Sequence, residues 1–185
     1  VRVIAGRFGG RHLKVPPGQD TRPTTDRVRE ALFSVLGLAV RGARVADLFA
    51  GTGALGLEAL SRGAVSVDFF ESRSQALAVL RGNVATLGVA DEVSVVSSPL
   101  PRGIKPGRPW DLVFADPPWG KRLAAAPLER AIALERLAPG ALAVVEERRG
   151  EQPDAAYWRG IGLVLEDERV YGDTSLQLLR LPARD

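Results

Sequence analysis

The sequence predicts a doubly wound α/β fold: a mostly parallel seven-stranded sheet with helices on both faces, an antiparallel edge and a small N-terminal β-hairpin. Three observations carry this. From residue 44 onward short apolar runs alternate with helical segments, the pattern of repeated βα units and therefore of a parallel sheet. A glycine-rich loop, Gly51-Thr52-Gly53-Ala54-Leu55-Gly56, separates the first run from its helix. Near the C terminus two further runs are joined by Gly172-Asp173-Thr174, as the strands of a hairpin would be.

Taken in order, residues 1–5 alternate in polarity, 6–10 turn on glycines and 11–15 read as a return strand, which makes the predicted hairpin. A proline-rich connection, 16–23, leads to Thr24 and Thr25 as candidate N-caps and Asp26 in a first turn, where the helix dipole favours an acid. Val28, Leu32, Val35 and Leu36 recur at helical spacing, so a helix is expected over 25–37, closed near Gly37. Strands then follow at 44–49, 65–70, 93–97, 111–115 and 142–146, with helices at 54–61, 72–87 and 124–137 between them. The closing hairpin comprises 164–171 and 175–181. All 185 residues fit one domain, with 1–23 as a basic hairpin and connection and 24–181 as the α/β body.

Composition removes several function classes. With no cysteine there are no disulfides and no thiolate metal site, and the single histidine, His12, argues against a histidine-rich metal centre or a Ser-His-Asp triad. No apolar run approaches the roughly 18 residues that span a bilayer, and no secretory leader is visible, so a cytoplasmic, membrane-free and metal-free monomer is expected. The net charge of +3 is unevenly placed: residues 1–44 carry nine basic side chains against three acidic ones, a surplus of six, which leaves the remainder at −3. A basic N-terminal segment on a mildly acidic body points to an anionic partner such as nucleic acid.

In open α/β sheets ligands sit beyond the carboxyl ends of the strands. Asp47 lies close to the end of the first strand, Glu71 follows the second and Asp116 the fourth. The glycine loop lets a ligand approach the backbone and exposes amides at a helix start. Glu71, twenty residues after Gly51, is placed to hold a pair of ribose hydroxyls. Loop and acid suit a nicotinamide dinucleotide as well, but no His, Tyr or Lys follows a strand where a dehydrogenase needs one. The run 111–115 instead ends in Asp116-Pro117-Pro118-Trp119. Two prolines stiffen that turn. A carboxylate and a carbonyl there can accept hydrogen bonds from an exocyclic amino group, and the indole offers a stacking face to a planar base.

Three blocks together, 47–63 around the glycine loop, the upstream 21–33 and Asp116–Trp119, resemble the bacterial 16S rRNA guanine 2-amino methyltransferases, and the likeness extends from about Val3 to Tyr171-Gly172-Asp173-Thr174. That resemblance implies the class I doubly wound fold and S-adenosylmethionine as methyl donor. It implies cofactor contacts from Asp47, Phe49, Ala50, Gly51, Thr52 and Gly53, from Glu71 and Ser72 at the ribose, from Ser98 and Pro99 near the adenine, and from Thr25 and Asp116. It makes Asp116, Pro117, Pro118 and Trp119 the catalytic turn. An rRNA surface is implied for Arg7, Arg11, His12, Lys14, Arg22, Arg27 and Arg29, with 16S rRNA or a partly assembled small subunit as partner. His12 also reads simply as a surface side chain of the basic hairpin. The chain departs from the family pattern in Ser97-Ser98-Pro99-Leu100, where many relatives place Asn or Asp against the adenine, and in Trp119, where Phe or Tyr is commoner. Two other readings stand beside this one: a DNA adenine or cytosine amino methyltransferase, and a non-catalytic RNA-binding assembly factor.

Overall fold

The structure, a computed structural model, describes residues 1–16 and 26–183. Seven strands form one sheet in the order β3-β2-β1-β4-β5-β7-β6. They are β1 (Arg44–Asp47), β2 (Ser66–Phe70), β3 (Val93–Val96), β4 (Trp110–Ala115), β5 (Leu137–Arg148), β6 (Val164–Tyr171) and β7 (Thr174–Arg180). The first five run parallel, whereas β7 is antiparallel to β5 and to β6. The strand order reverses at β1 and β4, so the crevice between their carboxyl ends is the switch point of the sheet.

Helices α1 (Asp26–Leu36), α2 (Ala54–Ser61) and α3 (Ser74–Leu87) cover one face, and α4 (Ala125–Ala133) and α5 (Ala155–Gly160) the other. Alternation along β4 serves both layers: Leu112 and Phe114 pack under α1–α3, Val113 and Ala115 under α4 and α5. Among the described residues no helix is long and apolar enough to cross a membrane, and no cluster of His, Cys, Asp or Glu could hold a metal ion.

Several expected elements shift for identifiable reasons. The N-terminal hairpin contracts to one isolated bridge, Arg2 to His12, with a 3₁₀ turn at Gly6–Phe8. Three buried or nearly buried helix side chains supply the bonds that a longer ladder would have made. Glu58 accepts from the Ile4 and Ala5 amides (2.7 and 3.1 Å) and Ser61 Oγ from the Phe8 amide (2.9 Å), while Asn83 accepts from the Lys14 amide (2.8 Å). Helix α3 starts at Ser74 instead of 72 because the Glu71 carboxylate takes the Arg73 amide (2.8 Å) and holds Arg73 extended. Helix α4 stops at Ala133, four residues early, where Glu135 turns to φ +53°. The chain then enters β5 at Leu137, opposite Trp110, and bulges before Leu142 pairs with Leu112. The short α5 was not expected; Asp154 caps it by accepting from the Tyr157 amide (2.8 Å), and buried Trp158 anchors it by donating to Gln177 (2.8 Å). The cap candidates Thr24 and Thr25 lie outside the described residues.

Close helix–sheet approach fixes one glycine. A Cβ on Gly56, in the middle of α2, would stand 2.3 Å from Phe69 Cε1 and 2.8 Å from Val67 Cγ1. Removing an interior helix glycine normally gains about 1 kcal/mol, but overpacking a tight core costs about 1–3 kcal/mol. Gly56→Ala is therefore expected to lower stability in urea unfolding, and a stabilised variant would show that α2 has room to lift off the sheet.

Candidate active site at the carboxyl edge of the sheet

The carboxyl ends of β1, β2 and β4, together with the chain just after β3, line one cavity of about 730 Å³, a volume ordinary for a small-molecule site. Its floor is the loop after β1. The Leu48 amide donates to Phe114 O (2.9 Å) and the Ala50 amide to Phe70 O (3.0 Å), which zips the loop's start between β4 and β2. Gly51 then takes φ +56° and Gly53 φ +83°, the left-handed region that favours glycine. A Cβ on Gly51 would meet nothing closer than Phe49 O at 4.0 Å. The backbone therefore borders open cavity there, as a ligand lying on the loop requires.

Two carboxylates set the loop's shape. Asp47, 1 % exposed, accepts from the Gly56 amide (3.0 Å). Burial pushes its pKa up to about 7 against that bond, and the nearby Asp116 and Glu71 charges add to the rise. Glu71 accepts from the Gly51 amide (2.9 Å) through one oxygen. It also accepts from Arg73 through its amide (2.8 Å), Nε (3.1 Å) and Nη2 (3.1 Å). Burial would raise the Glu71 carboxyl, but the bonds from Arg73 and Gly51 prevail and hold it below the usual carboxylate range. These four bonds fill the lone-pair directions of Glu71. Ribose hydroxyls can join only as the exposed Arg73 side chain gives up part of its grip.

The acceptor turn opens onto the same cavity. Asp116, half-buried, lines it with Pro117 and Pro118, while Ser72, Ser98 and Pro99 line the side facing β2 and β3. Phe49, Ala50 and Thr52 complete the floor. Trp119 is half-buried and stands outside the cavity wall, next to it along the chain. The sequence-derived cofactor residues are thus brought together, except Thr25, which with Arg22 lies outside the described residues.

The expected RNA residues divide. Arg7, Arg11, His12, Lys14 and Arg27 are exposed. Arg7 sits 4.5 Å and Arg11 5.8 Å from the Phe8 ring centroid, and Arg7 pairs with Glu92, just before β3. The tip of the N-terminal segment therefore lies at the amino edge of the sheet, whereas Val1 and Pro16 line the cavity at the opposite edge. Arg29 is a correction: it is 3 % exposed and forms part of the cavity wall, with Nη2 donating to Arg2 O and to Asp26 Oδ1 (2.9 Å). Three apolar neighbours one turn away on α1, Val28, Leu32 and Phe33, bury the same side of the helix and carry Arg29 inward with them.

Glu58, Asn83 and Glu147 escaped the sequence reading. Glu58 and Asn83 each left a signal, a polar side chain in the middle of a buried helical stripe. Asn83 does more than clamp Lys14, because its Nδ2 also donates to Thr52 O (2.9 Å) and so ties the basic segment to the cofactor loop. Glu147, 1 % exposed at the end of β5, has one oxygen with no hydrogen-bond partner. Burial, then Glu151 and Asp116, push its pKa up to about 7.

The pH dependence follows from these signs. Asp47 and Glu147 have raised values in the folded state, so their contribution to stability is complete below their unfolded values near 4 and is lost as pH rises through about 7. Glu71, with a depressed value, works in the opposite sense and loses its contribution only on acidification. Ligand-free protein is expected to lose unfolding free energy between pH 6 and pH 8, and Glu147→Gln to flatten that slope. Urea titrations across the range check this, and an unchanged slope in Glu147→Gln would refute the role of Glu147.

The family model described as Conserved hypothetical protein 95 matches residues 1–180. Ribosomal RNA small subunit methyltransferase D of Escherichia coli K12 is 37 % identical over all of this chain and 91 % of its own length. The Bacillus subtilis protein YlbH is 32 % identical over 97 % of this chain and 98 % of its own. The solved structure of yhhF from Escherichia coli superposes with a TM-score of 0.86 at 36 % identity, over 100 % of this chain and 99 % of that one. By full-length sequence match and by fold, the chain belongs to the Conserved hypothetical protein 95 family, which it shares with the small-subunit rRNA methyltransferase D proteins.

Proposed function

We propose that this protein transfers a methyl group from S-adenosylmethionine to the exocyclic 2-amino group of a guanine in small-subunit rRNA. The observation that carries the reading is one shared cavity: the glycine loop and Glu71 on one side, the Asp116-Pro117-Pro118 turn on the other. The donor set fits the cofactor by charge. Asp47, Glu71 and Asp116 give the walls a negative bias suited to a ligand bearing sulfonium and ammonium groups, and Arg29 supplies one buried cation. When bound, the cofactor supplies an electrophilic methyl group that needs no metal or redox partner.

The protein's own contribution is positional. Glu71 would hold the ribose, Gly51–Gly53 the chain leading to the sulfur, and Ser72, Ser98 and Pro99 the adenine side. The Asp116 carboxylate and the Pro117 carbonyl would accept the two hydrogens of the guanine amino group. That arrangement pyramidalises a nitrogen whose lone pair is otherwise delocalised into the ring and turns the lone pair toward the cavity. Asp116 is then also the nearest acceptor for the proton the nitrogen sheds. Trp119, at the cavity's rim, would stack on a base that has left its helix. Lys14 and the other exposed cations of the N-terminal segment would neutralise phosphates along the α2–α3 side.

Asp116→Ala is expected to lower turnover on unmodified small-subunit rRNA by about 10²–10³-fold, the scale seen when a preorganised polar group is removed from a transition state. Calorimetric S-adenosylmethionine binding should change far less. Turnover undiminished in Asp116→Ala would overturn the assignment of the acceptor turn. Replacing Lys14 and Arg11 together with Ala should weaken RNA binding and flatten its salt dependence while leaving cofactor affinity alone; unchanged RNA affinity would remove the N-terminal segment from the interface.

A further inference from the structure

We propose that Arg29 is the anchor for the carboxylate of the cofactor's methionine portion; this rests on the reading of the cavity as an S-adenosylmethionine site. The cavity wall contains two arginines, Arg29 and Arg73. Arg73 is more than half exposed, and its Nε and Nη2 are both spent on Glu71. Arg29 differs in every respect. Its side chain is 4 % exposed, and its Nε is buried with no hydrogen-bond partner. Its Nη2 is shared between a backbone carbonyl and the partly exposed Asp26.

Burying a guanidinium costs several kcal/mol unless its donors are met by anions or carbonyls. Here burial pulls the Arg29 pKa below the ordinary arginine value, with Asp26 and Glu58 opposing. A donor left open inside a wall otherwise lined by acids marks a place for an anion, and the only anionic group of S-adenosylmethionine is its carboxylate. The surroundings agree. Ala54 and Leu55, the first turn of α2, line the same cavity, and the partial positive charge of a helix start adds to that of the guanidinium. Glu71 occupies the ribose end and Asp116 the acceptor end, so the stretch beside Arg29 is left for the amino-acid end of the cofactor. An RNA phosphate is the competing anion, but it would have to bring a bulky, hydrated diester to a side chain that solvent barely reaches.

The test compares S-adenosylmethionine with its decarboxylated analogue, which lacks only the carboxylate, by calorimetry on wild type, Arg29→Met and Arg29→Lys. Methylthioadenosine, which lacks the amino-acid portion, reports whether the rest of the site is intact. Wild type should favour S-adenosylmethionine over the analogue by a factor that shrinks about 10- to 100-fold in Arg29→Met, the range of a charge-assisted hydrogen bond. Arg29→Lys should keep part of the preference, and methylthioadenosine should bind all three alike. A purely structural arginine would weaken all three ligands together and leave the ratio unmoved. An unchanged ratio in Arg29→Met, or in Arg29→Lys should the former not fold, overturns the proposal. So does an unchanged ratio accompanied by weaker RNA binding, which would give the guanidinium to a phosphate. If wild type bound neither S-adenosylmethionine nor methylthioadenosine, the cofactor reading itself would fall, an outcome distinct from the loss of Arg29 alone.

Discussion

The hydrogen bond from the Gly56 amide to the buried Asp47 carboxylate is the constraint on which the site depends. It joins the end of the central strand to the second turn of α2 and so fixes the path of the chain between them, which is the glycine loop. The loop's other support is Glu71, reaching from β2 to the Gly51 amide. With both ends tied, Gly51 and Gly53 must take left-handed φ values, and the loop backbone faces the cavity without side chains in the way. The arrangement has an electrostatic cost, visible in the raised pKa of Asp47. A cationic ligand in the cavity offsets that cost, so the strained charge distribution of the empty site favours its occupant.

The N-terminal segment is organised around a second set of buried polar contacts. Glu58, Ser61 and Asn83 hold its backbone against α2 and α3 in place of a regular β-ladder. The exposed cations consequently sit on a rigid strip that runs from the amino edge of the sheet at Arg7 to the cavity mouth at Pro16. Asn83 touches Lys14 and Thr52 at once, so the strip and the cofactor loop share a support. A polyanion lying on the strip and a small cofactor on the loop would therefore meet one preformed scaffold, with the chemistry confined to the Asp116 turn.

Much of this was legible in the sequence because it is carried by local patterns. The apolar runs and the αβ alternation gave the parallel sheet, and the antiparallel edge followed from the last two runs. Glycine spacing and strand-end acids located the cavity, with Asp47, Glu71 and Asp116 all where strand ends were expected to deliver them. What was hidden depends on contacts between distant segments. Arg29 reads as a surface cation until the apolar residues beside it are known to turn inward. The hairpin shrank because the helices already provide its hydrogen bonds, and no pairing rule applied to residues 1–15 alone reveals Glu58 or Asn83. Trp119 follows its two prolines as read, but a sequence does not say on which side of the cavity rim an indole will rest. Helix α5 is six residues long, too short for periodicity to register.

The central claim is that this cavity brings a methyl donor to the amino group of a guanine in small-subunit rRNA. Its most direct test is nucleoside mass spectrometry of small-subunit rRNA, taken from cells lacking the corresponding gene and incubated with the purified protein and isotopically labelled S-adenosylmethionine. The account predicts label in 2-methylguanosine at a single position. Label in methyladenosine or methylcytidine, or none on naked rRNA and assembled particles alike, would contradict it.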